Sequence, residues 1–393
     1  MRIAVVESAA HGGLLHYAAQ LANALADRGH DVELITARGN ELLGHRSSAR
    51  MRPVLAAPTR RRAEAPTGLR DVTRKGGIAT RLTRASLRTL WELRRGRYDT
   101  ALIVDDPDTW LSAGAALLFT LDPGRPALVA ICHEPRPRNR WRGEELYTSS
   151  PLLLGLLRRA YSRMNLVLVH GAQSRAEFTD TWGHHVPVVI IPHGDERILG
   201  REPPTPAAEE RVLFFGDWRR AKGLHELLAA FELLSSRRAT ARLTIAGTPT
   251  PDGHPEEVRA WAADRRTQVE VIDRYVPIEA VADVFARARV VAAPYLAGSQ
   301  SGVVHLAMTM ARAVVATDVG DLGEAVVDGM TGRLVPPGDV EALAAALESV
   351  VSDPALAARL GAEGHRRVLA EFGWDRVAER VEVALQSLPT AGR

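Results

Sequence analysis

The run Phe214-Phe215-Gly216-Asp217-Trp218-Arg219-Arg220-Ala221-Lys222-Gly223 joins a short apolar segment to an amphipathic helical pattern. A guanidinium and an ammonium three residues apart in such a turn can together neutralise a pyrophosphate leaving group, and Gly216 lets the backbone come close to it. Only two of the 50 basic residues are lysines, Lys75 and Lys222, so the lysine in this turn stands out. Arg220 reads as a solvated neighbour. A second turn, Pro294-Tyr295 through Ser299-Gln300-Ser301-Gly302-Val303, follows the apolar run Val290 to Ala293. Ser299 or Ser301 can cap the helix that begins there. The N–H groups of Ser301, Gly302 and Val303, with the helix dipole behind them, would then meet an anion. A plain helix cap explains the serines equally well; the opposed arginine and lysine favour a phosphate site.

Other chemistries find less support. There is no Gly-rich Walker loop, no G-x-G-x-x-G fingerprint, and no Ser/His/Asp or Cys/His arrangement. Asp106-Pro107-Asp108 has the look of a metal-binding D-x-D, but an Asp before a helical pattern is more often an N-cap. The single cysteine, Cys132, excludes an internal disulfide and a cysteine-based zinc site, and reads as a buried small residue. Neither a metal nor a resident cofactor is expected.

The elements that must position these turns alternate between short apolar runs and helical patterns, the signature of parallel βαβ units. Strands are expected at Ile3 to Val6, Val32 to Thr36, Thr100 to Val104, Ala127 to Cys132, Leu166 to Val169 and Val186 to Ile191. Helices fall near 14–27, 78–95, 108–118, 151–163 and 171–181, and residues 46–76 read as an irregular excursion. After the proline-rich run beginning at Gly200, a second series starts: Val212 to Phe215, Leu243 to Ala246, Val269 to Ile272, Val290 to Ala293 and Val314 to Thr317. Helices are expected after Lys222, Glu256, Ile278, Gly302 and Asp339, then near 353–369 and 374–387. The chain therefore reads as one α/β architecture used twice. Ligands would lie outside the carboxyl ends of its strands, in an interdomain cleft.

Charge is uneven. Residues 46–97 carry 15 basic and three acidic side chains, net +12, against a whole-chain charge of +3. Such a segment reads either as a solvated loop with the polar face of a helix, or as a surface that meets an anionic lipid, an anionic acceptor or a nucleic acid. Trp91 is its only aromatic residue, which is poor interleaving for base stacking, so nucleic acid is not expected. No run of 18 apolar residues occurs and the chain opens on a strand-like segment, so a cytoplasmic protein is expected.

These motifs together resemble the retaining glycosyltransferases of family 4, which have the GT-B fold: two Rossmann-like domains with parallel sheets facing an interdomain cleft. The turn Phe215 to Gly223 resembles the branch pattern F-G-x-x-R-P-Y-K-G, and Pro294 to Val303 resembles P-Y-x-x-x-Q-S-G-V. Gly12-Gly13 with Tyr17, Cys132-His133-Glu134, Ile191-Pro192-His193-Gly194, Val319 to Glu324, Asp328 to Gly332 and Phe372-Gly373-Trp374-Asp375 are also similar. The resemblance implies an acceptor-side domain over 1–195, a linker over 196–210 and a nucleotide-sugar domain over 211–372. A terminal helix over 373–393 would pack back on the first domain.

By the same resemblance, Arg219 and Lys222 grip the donor diphosphate, with Gly216 and the amides at Ser301, Gly302 and Val303. Tyr295, Ser299 and Gln300 belong to that donor turn, and Tyr275 and Val276 lie at the base-binding edge. His133 would hydrogen-bond the donor sugar, and Gly12 and Gly13 would approach the sugar and acceptor. One departure stands out: the glutamate pair that many members carry falls here on Gly298 and Leu306. The function implied is metal-independent, retaining transfer of a hexose-type sugar from a nucleotide diphosphate to a hydroxyl of a secondary metabolite, lipid-linked acceptor or glycan. A non-catalytic sugar-nucleotide-binding homologue or auxiliary subunit, or a sugar-nucleotide epimerase, are the alternatives.

Overall fold

A computed structural model describes residues 1–56, 87–105, 126–137, 151–199 and 209–388. The expected helix at 108–118, the start of that at 78–95, Lys75, Asp106, Asp108, residues 200–208 of the expected linker and residues 389–393 lie outside the described residues. Among those described, residues 1–192 and 374–388 form one compact unit and residues 193–373 another.

The first unit is a seven-stranded, all-parallel sheet in the order β3-β2-β1-β4-β5-β6-β7. Its strands are β1 (Arg2–Glu7), β2 (Asp31–Ala37), β3 (Arg50–Leu55), β4 (Thr100–Asp105), β5 (Ala127–Cys132), β6 (Leu166–Val169) and β7 (Val188–Ile190). Its described helices are α1 (Gly13–Asp27), α2 (87–96), α3 (Pro151–Tyr161) and α4 (Ala172–Trp182). The middles of the central strands, Ile3–Val6, Ala101–Val104 and Leu128–Cys132, are apolar and buried, as a sheet covered on both faces requires.

Residues 57–76 lie outside the described residues, but at residues 50–55 strand β3 corrects the expectation of an irregular excursion over 46–76. Its sequence, Arg-Met-Arg-Pro-Val-Leu, lacks an apolar run and contains a proline, which an edge strand tolerates. Alternation brings Arg50 and Arg52 to one side, where both meet the buried carboxylate of Glu33 on β2, at 2.7 and 2.9 Å. Arg2 and the Tyr98 hydroxyl also donate to Glu33, at 3.2 and 2.6 Å. Burial opposes ionisation of Glu33, but the hydrogen bonds from Tyr98, Arg52 and Arg2 outweigh it and hold its carboxyl below the usual carboxylate value. Arg52 and Arg88 also pair with the buried Glu92. Part of the positive charge of residues 46–97 thus serves internal ties.

The second unit is a six-stranded parallel sheet in the order β10-β9-β8-β11-β12-β13. It comprises β8 (Arg211–Phe215), β9 (Arg242–Ala246), β10 (Val269–Ile272), β11 (Val290–Ala293), β12 (Ala313–Thr317) and β13 (Arg333–Val335). Strand β13, only three residues long, was not expected. Helices α5 (Leu224–Arg237), α6 (Pro255–Ala263), α7 (Ile278–Ala286), α8 (Gly302–Thr309), α9 (Leu322–Ala325), α10 (Val340–Ser352) and α11 (Pro354–Glu371) follow in chain order. Phe214, Phe231 and Leu347 centre the core on one face of the sheet; Phe285, Tyr295 and Met308 centre that on the other.

The last helix, α12 (Trp374–Gln386), belongs to the first unit. Trp374 meets Tyr17 of α1 edge-on, with ring centroids 5.1 Å apart, and Arg28 donates to Glu382 at 2.8 Å.

Candidate functional site

Strand order reverses between β8 and β11 in the second unit, and a doubly wound sheet binds ligands outside the carboxyl ends of its strands at such a switch. The loops leaving these two strands are the two anion-binding candidates. They are held together by backbone: the amide of Leu296 donates to the Ala221 carbonyl at 2.9 Å. Gly223, with φ of +67°, allows the approach, because a Cβ there would overlap the Pro294 carbonyl.

Within this contact the Lys222 ammonium lies 3.7 Å from the centre of the Tyr295 ring. The Tyr295 hydroxyl is 2.8 Å from Ser301 Oγ. Ser301 caps α8, accepting from the Val304 amide at 3.3 Å, so the cap is Ser301 and not Ser299. Ser299 is buried, and its carbonyl accepts from the Asp321 amide at 2.7 Å, which anchors the loop. Gly302 and Val303 form the first turn of α8, and Gly216 faces the Val303 side chain. Glu196 contributes a carboxylate oxygen beside Gly302, so one anionic group already stands near that helix end.

The three basic residues of the turn differ in their partners. Arg219 lies 3.7 Å from Asp217. Arg220 makes a two-pronged pair with Glu226 at 2.7 and 2.8 Å, which corrects its reading as merely solvated. Lys222 has an aromatic face where the arginines have carboxylates. Tyr275 and Val276 follow the edge strand β10, two strands away from β8 in the sheet, and Val276 is part of the core. Gln300 is half-buried, immediately before the cap.

In the first unit the corresponding reversal lies between β1 and β4. After β1, Gly12 adopts φ of +96°, and its amide donates to Glu41 Oε1 at 2.7 Å; His16 Nε2 lies 2.7 Å from the same oxygen. The helix that starts at Gly13 carries Tyr17 to His133, with ring centroids 4.6 Å apart. His133 follows β5, and its Nδ1 is 3.2 Å from Nε2 of the buried His170, which follows β6. The register Ile131 to Leu168 puts residues 133 and 170 side by side.

Two family descriptions span most of the chain: Glycosyltransferase Family 4 over residues 11–195 and Glycosyl transferases group 1 over residues 209–353. The alpha-maltose-1-phosphate synthase of Mycolicibacterium smegmatis is 30% identical over 297 residues, which are 69% of this chain and 76% of that relative. The chain belongs to glycosyltransferase family 4.

The fold of this family 4 glycosyltransferase is GT-B. Sucrose-phosphate synthase from Thermosynechococcus elongatus matches it with a TM-score of 0.75 at 21% identity, over 98% of both chains. Anabaena HepE, in complex with UDP-glucose, matches with a TM-score of 0.72 at 17% identity, over 99% of this chain and 100% of that one. Among the described residues of the glycosyltransferase no group of three or more His, Cys, Asp or Glu side chains converges as a metal site. No described helix is long and apolar enough to cross a membrane.

Several residues of the glycosyltransferase touch the candidate site residues without being singled out by a motif. His170 had a signal: it stands one residue past an apolar strand, as His133 does. Asp217 sits inside the basic turn, where only the cations drew attention. Glu41, His16 and Glu196 carried no signal, because each reaches its partner through tertiary packing.

Proposed function

We propose that this family 4 glycosyltransferase moves a hexose-type sugar from a nucleotide diphosphate to a hydroxyl acceptor, with retention at the anomeric carbon and without a metal. The observation that carries the reading is the contact of Lys222 with Tyr295, which brings the basic turn against the residue that bonds the α8 cap. Arg219 and Lys222 then meet the diphosphate from one side, and the amides of Ser301, Gly302 and Val303 from the other. UDP-glucose, the ligand of HepE, is the first donor to try.

In the reaction, the bond from the anomeric carbon to the β-phosphate oxygen breaks while the acceptor oxygen bonds to that carbon on the same face. The acceptor proton passes to the departing phosphate oxygen. Charge grows on that oxygen in the transition state, and each preorganised donor there contributes about 3 kcal/mol. His133 serves the donor sugar, and Gly12 and Gly13 the sugar and acceptor.

A thermal-shift panel of UDP-, dTDP-, GDP- and ADP-sugars on wild type and Lys222→Ala tests the reading. One sugar nucleotide should stabilise the wild type and lose most of its effect on the variant. Equal responses, or none from the wild type, would reject it. The absence of side-chain acceptors at Gly298 and Leu306 favours a second reading, a sugar-nucleotide-binding homologue without turnover. Stabilisation without donor consumption across an acceptor panel would select that one.

A lipid-linked acceptor is the acceptor class with a physical feature behind it. Trp91 on α2 is 45% exposed, with the guanidinium carbons of Arg88 and Arg95 4.4 and 5.1 Å from its ring. An exposed indole flanked by arginines suits an anionic membrane interface. Flotation with anionic vesicles should show salt-dependent association that Trp91→Ala weakens. No association at low salt would remove the lipid reading.

A further inference from the structure

We propose that Tyr295 is a positioning residue that couples Lys222 to the N-terminal turn of α8, so that the two sides of the diphosphate site act as one unit. The inference rests on the donor-site reading above. Tyr295 cannot serve a ligand directly in this arrangement: it is 1% exposed, one face of its ring lies against the Lys222 ammonium, and its hydroxyl is engaged by Ser301. Its backbone is fixed as well. The Tyr295 carbonyl accepts from Thr317 Oγ1 on β12 at 2.6 Å, and the next amide, that of Leu296, donates to Ala221 in the basic turn.

The chemistry of an aromatic platform suits this place better than a carboxylate would. Asp217 and Glu226 hold Arg219 and Arg220 by opposite charge. A carboxylate on Lys222 would neutralise the ammonium and compete with an incoming diphosphate. The face of a phenol ring attracts a cation through its quadrupole and leaves the net charge intact. It also restricts the four-carbon stem of lysine before any ligand arrives, which reduces the ordering required on binding. At its other end the Tyr295 hydroxyl bonds Oγ of the cap, the atom that accepts from the Val304 amide. One rigid ring therefore sets the distance between the cation and the helix end.

A double-mutant cycle on the full chain tests this, read by calorimetric titration with the tightest binder among UDP, dTDP, GDP and ADP. Tyr295→Leu removes the platform and should weaken binding about tenfold when Lys222 is present, within the range of a desolvated cation–π contact. In a Lys222→Ala background the same change should cost less than about twofold. Tyr295→Phe keeps the ring and loses the hydroxyl; it should cost about threefold, and nothing further in a Ser301→Ala background. Thermal unfolding of each variant identifies any loss that comes from misfolding, and Tyr295→Phe serves should Tyr295→Leu not fold. Additive losses in both cycles, with Lys222→Ala itself weakened, would overturn the coupling and leave the donor site standing. Binding by Lys222→Ala as tight as wild type, or no binding by wild type, would overturn both.

Discussion

His170 holds its Nε2 3.2 Å from Nδ1 of His133, at matching positions beyond two paired strands. Only one of the facing nitrogens carries the proton when both rings are neutral, so the two tautomers are linked: His133 presents Nε2–H when its Nδ1 accepts and a bare Nε2 when its Nδ1 donates. His170→Ala should lower donor turnover by roughly tenfold to a hundredfold, the usual cost of losing an orienting partner. His170→Gln, which can still bond Nδ1, should recover much of it. Comparison of kcat for the two variants decides: equal deficits would show that the hydrogen bond does not set the activity of His133.

Glu41 should be needed for the shape of the Gly12-Gly13 loop. Its Oε1 accepts from the Gly12 amide and faces His16 Nε2. Glu41→Ala leaves both without that partner, at a cost of about 2 kcal/mol in unfolding free energy for a charge-assisted, half-buried bond. Chemical denaturation measures it. A change within about 0.5 kcal/mol, the range of an ordinary surface substitution, would show that the loop keeps its shape without the carboxylate.

Two glycines should respond to alanine for different reasons. A Cβ at Gly223 would overlap the Pro294 carbonyl, whereas one at Gly12 would meet nothing within 4 Å. Gly223, at φ +67° and ψ +29°, lies in the left-handed region, where a side chain costs about 1–2 kcal/mol, and Gly12, at φ +96° and ψ −179°, lies in a region almost reserved for glycine, where it costs about 1–3 kcal/mol. Gly223→Ala should add a steric penalty, separate the two donor-site loops and weaken diphosphate binding as well as stability. Gly12→Ala should lower stability through backbone strain alone. Thermal unfolding of the pair, with UDP titration of Gly223→Ala, checks the order; a smaller loss at Gly223 than at Gly12 would contradict the packing described.

Acid should weaken the second unit through His193. Burial lowers its pKa to about 4 from an unfolded value of 6.5, despite partial support from the Gly194 carbonyl. Between those values the unfolded chain binds a proton that the native one does not, so stability falls as pH falls from 6.5 to 4. One such group contributes up to about 1.4 kcal/mol per pH unit. His305, whose ring lies 4.7 Å from that of His193, is shifted in the same direction by burial and then by His193. Unfolding free energy plotted against pH should rise less steeply across that window in His193→Asn than in wild type; equal slopes would show that His193 titrates normally.

The repeated βαβ order, a serine cap before α8 and the basic turn are legible because each rests on local chemistry: apolar runs, a serine before a helix, cations between two glycines; that the cap is Ser301 and not Ser299 is set by the structure. Strand β3 was hidden because its arginines face a buried Glu33 on the neighbouring strand, a partner that periodicity cannot reveal. The platform under Lys222 was hidden for a related reason. Tyr295 was visible as part of a motif, but which way its ring faces depends on how closely Gly223 lets two loops approach.

The position of α12 has a consequence for how the molecule is made. Its Trp374 and Glu382 complete the surface of α1, which precedes the whole second unit in the chain. At roughly 5–20 residues per second, α1 waits about half a minute for that partner while the whole second unit emerges and can fold. The nascent first unit must therefore keep a tryptophan-sized apolar surface shielded from other chains until α12 emerges. The unit whose strands emerge first is closed only after the other unit has emerged.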